Sequence, residues 1–350
     1  MNIQIPVPVS GGVLLSYKCT AECRHCMYAC SPRWKADWIP EKDLEKILGQ
    51  LAGKIVPSVY GTDHIGLSHG LHFTGGEPFM NFDLLCRAIE ISSSLDIPSL
   101  FVETNGYWCT GDSTTREKLL LLREKGMKGI MISVNPFYLE YVPFERTERA
   151  IRISAEIFGT NAIVYQAEYY RRFRALGIRD RVPFEKYLQM ENREDFVRNT
   201  EFFIMGRAPY SLKDQLAGLY PRYPAGRLAQ MPCSPPFLRN WHNHFDNYGN
   251  FVPGFCGGIS LGDCRRLEDL LETGIDPEAY PVLSCLLRED MAGLLQFALD
   301  RGYRVDESGY YSKCHLCVDM RKFLHAQDGF RELTPDAFYL NLERGSNPGN

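Results

Sequence analysis

Cys19-Thr20-Ala21-Glu22-Cys23-Arg24-His25-Cys26 follows closely on the apolar run Val13-Leu14-Leu15-Ser16-Tyr17, and this pairing of strand and loop decides the fold and the chemistry. Three cysteines spaced CxxxCxxC on one short loop can hold three corners of a cubane, each thiolate on a different iron, with one iron left open. A structural zinc site needs four ligands and usually takes them from paired CxxC units. A zinc knuckle here would recruit His25 or Cys30 as its fourth ligand. The loop alone leaves both metals open.

On either side of this loop, strand and helix patterns alternate. Leu71-His72-Phe73-Thr74, Ser99 to Glu103, Gly129 to Val134, Asn161 to Tyr165 and Phe202 to Met205 are short strand candidates, most of them ended by Gly, Asn or Pro. Pro40 to Leu51, Phe82 to Ser94, Ser113 to Lys125 and Glu145 to Phe158 carry helical periodicity, with Ser113 or Thr114 as an N-cap for the third. Such alternation implies a parallel sheet with right-handed crossovers. About six units predict an α/β fold: a partial (β/α)6 TIM-like barrel over residues 1–206, with chemistry at the C-terminal strand ends. Arg207 to Pro236 is rich in Pro, Gly and Tyr and reads as a connector. Residues 207–350 are expected to comprise this connector and a smaller, cysteine-rich α+β domain.

The bulk composition narrows the function. The chain has 350 residues, 45% of them hydrophobic, which is enough for one large core and a smaller lobe. A net charge of −4 gives no electrostatic case for a nucleic-acid or membrane-surface partner. No apolar run reaches transmembrane length, and Met1 to Leu15 lacks the basic region of a secretory signal. A cytoplasmic, reducing location is therefore expected, where 12 cysteines point to metal rather than disulfides.

The cluster loop resembles the signature of the radical S-adenosylmethionine (SAM) superfamily, with His25 where an aromatic residue often precedes the third cysteine. Three further segments agree in order, each after a predicted strand. Thr74-Gly75-Gly76-Glu77-Pro78 resembles the GGEP motif that contacts the SAM amino group. Glu103-Thr104-Asn105-Gly106 resembles a turn often found there, and Ser133-Val134-Asn135 is similar to the polar strand end facing the SAM ribose or carboxylate. The likeness covers roughly residues 10–206. It implies a 4Fe-4S cluster on Cys19, Cys23 and Cys26. SAM would lie against Gly75, Gly76, Glu77, Pro78, Glu103, Asn105, Ser133 and Asn135. The absence of Cβ at Gly75 and Gly76 lets backbone approach a ligand. Ile163-Val164-Tyr165-Gln166-Ala167-Glu168 is a weaker match to a further family segment, with Tyr in place of Gly.

Beyond the connector, Cys233, Cys256, Cys314 and Cys317 resemble a reduced SPASM or twitch extension. The likeness implies one auxiliary 4Fe-4S cluster, with Cys264 in reserve and zinc as the alternative. Asp246 to Pro253 reads as a hairpin turning at Tyr248-Gly249-Asn250. His242 and His244 are expected at the surface, Tyr169, Tyr170 and Phe173 in the core, and Cys86, Cys109 and Cys285 as packed small hydrophobes. The resemblance implies reductive cleavage of SAM to a 5′-deoxyadenosyl radical that abstracts hydrogen from a peptide or protein side chain. It also implies an electron donor such as flavodoxin or ferredoxin. A small-molecule or RNA substrate is the enzymatic alternative, and a non-catalytic metal-binding or electron-transfer module is the alternative of another class. No residue is assigned to the chemical step itself.

Overall fold

Five short strands succeed one another along the chain: β1 Ser10–Leu14, β2 Gly70–Thr74, β3 Phe101–Thr104, β4 Gly129–Ser133 and β5 Ala162–Tyr165. The computed structural model describes residues 1–191, 194, 196, 203–233, 237–327 and 329–343. The strands lie side by side in the order β5-β4-β3-β2-β1, all parallel. A sequential order keeps every right-handed crossover helix on one face of the sheet. That is the winding of a barrel, not of a doubly wound sheet whose order reverses.

Alternation along each strand gives the sheet two different faces. Val13, Phe73, Val102 and Ile130 are fully buried in one core with Leu44, Leu48, Leu85, Ile89, Leu119 and Ile153. These partners come from helices Glu41–Leu51, Phe82–Ser94, Asp112–Glu124 and Phe144–Phe158. Gly12, His72, Phe101 and Met131 occupy the alternate positions, and there Phe101 and Met131 join Ile65 in a small separate core. The third helix begins after Gly111, without a side-chain cap, so Ser113 and Thr114 lie inside its first turn. Tyr169 and Phe173 are buried and Tyr170 packs beside them, as periodicity predicts.

The sixth strand is not where the sequence pattern puts it. Phe203–Met205 is irregular, and Phe202 lies outside the described residues. Gly206, at φ +55°, and Arg207 instead turn this stretch onto the cluster loop, where Arg207 N donates to Cys26 O. The sixth strand, β6 (Asn243–Phe245), pairs parallel with β1, and β7 (Phe251–Val252) pairs antiparallel with β6 around the predicted turn. The open sheet therefore ends at β5 on one side and β7 on the other. The rest of the C-terminal region, expected as α+β, is helical among the described residues, its longest helix being Lys313–His325. No described helix is long and apolar enough to cross a membrane.

Leu48 is fully buried on the inner face of its helix, whereas Glu45 on the same helix is exposed. Leu48→Ala is expected to lower unfolding stability by about 2–5 kcal/mol. Glu45→Ala should stay within about 0.5 kcal/mol. Urea unfolding followed by circular dichroism checks both.

Candidate active site

The cluster loop leaves the C-terminal end of β1 and turns twice, through Cys26 N to Cys23 O (3.1 Å) and Ala29 N to Cys26 O (3.3 Å). Two backbone amides aim at sulfur: Ala21 N lies 3.4 Å from Cys19 Sγ, and Cys30 N lies 3.3 Å from Cys26 Sγ. Burial, with the nearby Glu77 charge, pushes the Cys19 thiol up to about 12. Burial and the charges of Cys19 and Cys26 push Cys23 well above the usual thiol range. Cys26 goes the other way, because the Cys30 thiol hydrogen-bonds to it. Burial thus holds Cys19 and Cys23 as neutral thiols unless a cation offsets the thiolate charge, which a bound metal would do.

Four thiolates on one zinc at about 2.3 Å would stand roughly 3.8 Å apart. Among the described residues no three cysteine sulfurs lie within 4.8 Å of one another. In a cubane each thiolate binds its own iron, so the sulfurs need not crowd one ion. His25 stacks on Phe137 with ring centroids 4.5 Å apart and turns Nε2 towards Asn135 Nδ2 (3.4 Å). Burial lowers its pKa to about 3, so it is neutral. The Cys30 thiol faces Gly75 O at 3.5 Å.

Arg207 clamps the loop from behind and is fully buried. Its guanidinium donates to the carbonyls of Cys23 (3.0 Å), Cys30 (3.1 Å), Ala29 (2.6 Å) and Asn341 (3.1 Å). Ser211 Oγ adds a bond to Arg24 O at 2.7 Å. A Cβ on Gly206 would stand 2.6 Å from Cys26 O and Met27 O. Arg207 therefore carries positive charge beside the thiolates and lowers the pKa values of Cys23 and Cys26. No motif flags it, because its partners lie about 180 residues away in the chain.

The other strand ends converge on the same loop. Gly75 and Gly76 make their close approach to the chain leading into it: a Cβ would stand 2.3 Å from Ser16 O at Gly75 and 1.9 Å from Lys18 O at Gly76. Glu77 is buried, and its carboxylate accepts from Phe79 N, Thr104 Oγ1 and Asn105 N. It thus braces the loop after β2 against the loop after β3, and burial raises it to about 7. Pro78 opens the short 3-10 turn that Glu77 caps. Asn105 Nδ2 donates to Thr20 Oγ1 (3.1 Å) and lies 3.9 Å from Cys19 Sγ. Asn135 caps the turn Pro136–Leu139 and touches His25. Ser133 bonds Tyr138, a buried phenol near Cys23 and Cys26 that the sequence does not single out. Glu103 points elsewhere: its carboxylate accepts from Thr74 Oγ1 (2.9 Å) and stands 3.4 Å from His72 Nε2.

The second cysteine set also converges. Cys233, Cys256, Cys314 and Cys317 interact electrostatically, and burial raises the first three above the usual range. Cys314 and Cys317 sit on the first two turns of helix Lys313–His325, three residues apart and so on one face. The buried Arg321 guanidinium lies beside them and donates to Gly257 O at 2.9 Å. Cys264 neighbours Asp246, Asp263 and Arg265 instead. Glu168 is exposed and pairs with Arg171 at 3.0 Å. Cys86 and Cys109 are buried, and Cys285 is partly so. His242 and His244 are not surface residues: both are buried, because β6 docks on β1 and carries them onto the sheet.

Residues 13–165 match the family model described as the radical SAM superfamily. That stretch holds the first three cysteines and every strand-end residue named above, from Gly75 to Asn135. The chain thus carries a radical SAM domain over these residues. No curated relative matches it. Among solved structures it is similar to BtrN in complex with AdoMet and 2-DOIA, at 14% identity and a TM-score of 0.41 over 85% of this chain and 89% of that one. It is also similar to Streptococcus suis SuiB bound to S-adenosylmethionine, at 14% identity and a TM-score of 0.45 over 88% of this chain and 77% of that one.

Arg207→Met keeps much of the side chain's bulk but removes four hydrogen bonds to carbonyls, of which that of Cys23 keeps its bond from Cys26 N. After anaerobic reconstitution this variant should hold about one cubane, roughly four irons, fewer than wild type. Iron and sulfide assays check this, and equal iron contents would refute the clamp.

Proposed function

We propose that the protein holds a 4Fe-4S cluster on Cys19, Cys23 and Cys26, binds SAM at the adjoining strand ends, and modifies a peptide or protein side chain by hydrogen abstraction. The observation that carries this is the convergence of Cys19, Asn105, Glu77 and the glycine pair on one end of the sheet. When bound, the cluster and SAM supply a 5′-deoxyadenosyl radical, which is cofactor chemistry rather than protein chemistry. The protein's own part is placement. Arg207 fixes the loop backbone, and the glycine pair seats the loop after β2 against it. Glu77 ties that loop to Asn105, and Tyr138 and His25 shield the sulfurs.

Cys233, Cys256, Cys314 and Cys317 are proposed to hold an auxiliary 4Fe-4S cluster, with Arg321 as the buried counter-charge. This second set is what favours a peptide or protein substrate over a small molecule, since resembling enzymes with such an extension often act on peptides. An external donor of the flavodoxin or ferredoxin kind would supply the electron. All 12 cysteines are free, which fits a reducing compartment such as the cytoplasm.

The test is formation of 5′-deoxyadenosine by the reduced, cluster-loaded protein given SAM and size-separated fractions of cell extract. A rise with the protein and peptide fraction, abolished by prior proteolysis of that fraction, is the expected result. A rise with the low-mass fraction alone would establish a small-molecule substrate instead. No product in any arm would overturn the enzymatic assignment.

A further inference from the structure

His72, His242 and His244 form a buried cluster on the sheet face opposite the helices, joined to the cluster loop through Tyr28, whose ring lies 5.1 Å from that of His244. His72 on β2 and His244 on β6 flank Gly12 of β1 in register, and His242 precedes β6 at φ +54°. A side chain held in the left-handed region is a strained conformation that needs an explanation. The ring centroids lie 5.1 to 5.5 Å apart, and one ring nitrogen of each histidine lies within 4.8 Å of the others. Gly12 makes the room: a Cβ there would stand 2.2 Å from His72 Nε2.

The hydrogen bonds fix which nitrogens are available. His242 Nδ1 meets Leu67 O and His244 Nδ1 meets Gly254 O, each at 2.9 Å. A carbonyl only accepts, and the Tyr28 hydroxyl, 3.0 Å from His244 Nδ1, spends its proton on Gly254 O at 3.2 Å and so accepts as well; both Nδ1 atoms then carry the proton and both Nε2 atoms keep a lone pair. Metal-bound histidines are usually held in this way, with the second ring nitrogen donating to a carbonyl or carboxylate. Stacking on Phe101 at 4.9 Å accounts for the position of the His72 ring. It does not account for His72 Nε2, which is buried without a hydrogen-bond partner. The nearest anion is Glu103 Oε1, 3.4 Å away.

We propose that His72, His242 and His244, with Glu103 as fourth ligand, form a site for one divalent ion of the zinc class on this face of the sheet. Three neutral imidazoles and a carboxylate suit a borderline cation and do not suit an iron–sulfur cluster. The site ties β6, which arrives late in the chain, to β2 and β3 across the bare backbone of β1. Glu103 in turn accepts from Thr74, the residue before the glycine pair.

Zinc is the probe. Cluster-loaded protein, stripped of loose metal, is titrated with zinc against a chelator of known affinity, and the zinc-edge X-ray absorption spectrum is recorded. The expected result is one equivalent of zinc with nitrogen and oxygen scatterers at about 2.0–2.1 Å. His72→Gln and His244→Gln should each weaken it by more than about 100-fold, beyond the loss typical of an outer partner. Gly12→Ala keeps every ligand but displaces His72, and should weaken it too. Unchanged cluster iron in these variants shows that they fold. No bound zinc in wild type, only sulfur scatterers at about 2.3 Å, or equal affinity in all variants would overturn the proposal.

Discussion

A guanidinium taken wholly out of water is costly unless every donor is used and negative charge lies near. Arg207 comes close to both conditions only if the cluster loop folds around it: four of its five N–H groups then reach carbonyls, and the Glu22 carboxylate lies 3.9 Å away. The dependence runs both ways. A loop of consecutive turns has too few internal bonds to hold three sulfurs in place, and Arg207 supplies the missing ones. The connector is thereby drawn back onto the barrel, which is why residues 203–205 turn away instead of extending the sheet.

Close backbone approach does for the other loops what Arg207 does for the first. Gly75 and Gly76 sit where any side chain would strike Ser16 O or Lys18 O. The loop after β2 therefore rests on the chain entering the cluster loop. Glu77 then passes this order to the loop after β3 through Thr104 and Asn105. An uncharged or shorter residue at 77 would leave buried donors unpaired, a penalty of about 1–3 kcal/mol for each group. Order at the site is thus built from contacts between loops, with the parallel strands setting the loop origins.

What the sequence discloses and what it hides follow from the range of the contacts. Cys19, Cys23 and Cys26, the glycine pair and Asn105 are legible because each motif is local and each follows a strand with a strong apolar pattern. The helices Glu41–Leu51 and Phe82–Ser94 are legible from their periodicity. β6 is not, because three residues carry no period and its pairing with β1 spans most of the chain. With β6 unseen, His242 and His244 look like surface residues, and His72 looks like an ordinary strand position. Arg207 is hidden for the same reason. The roles of Glu77 and Glu103 differ from what motif position alone implies, since one braces two loops and the other turns towards the histidines.

The central claim is that two separate cysteine sets each hold a cubane, one of them open for SAM. Iron and acid-labile sulfide, counted in anaerobically reconstituted wild type and in a Cys19/Cys23/Cys26→Ala variant, test it most directly. The account predicts about eight irons in wild type and about four in the variant, with sulfide in equal number. Wild type without iron, or a variant that loses all of it, would contradict the account.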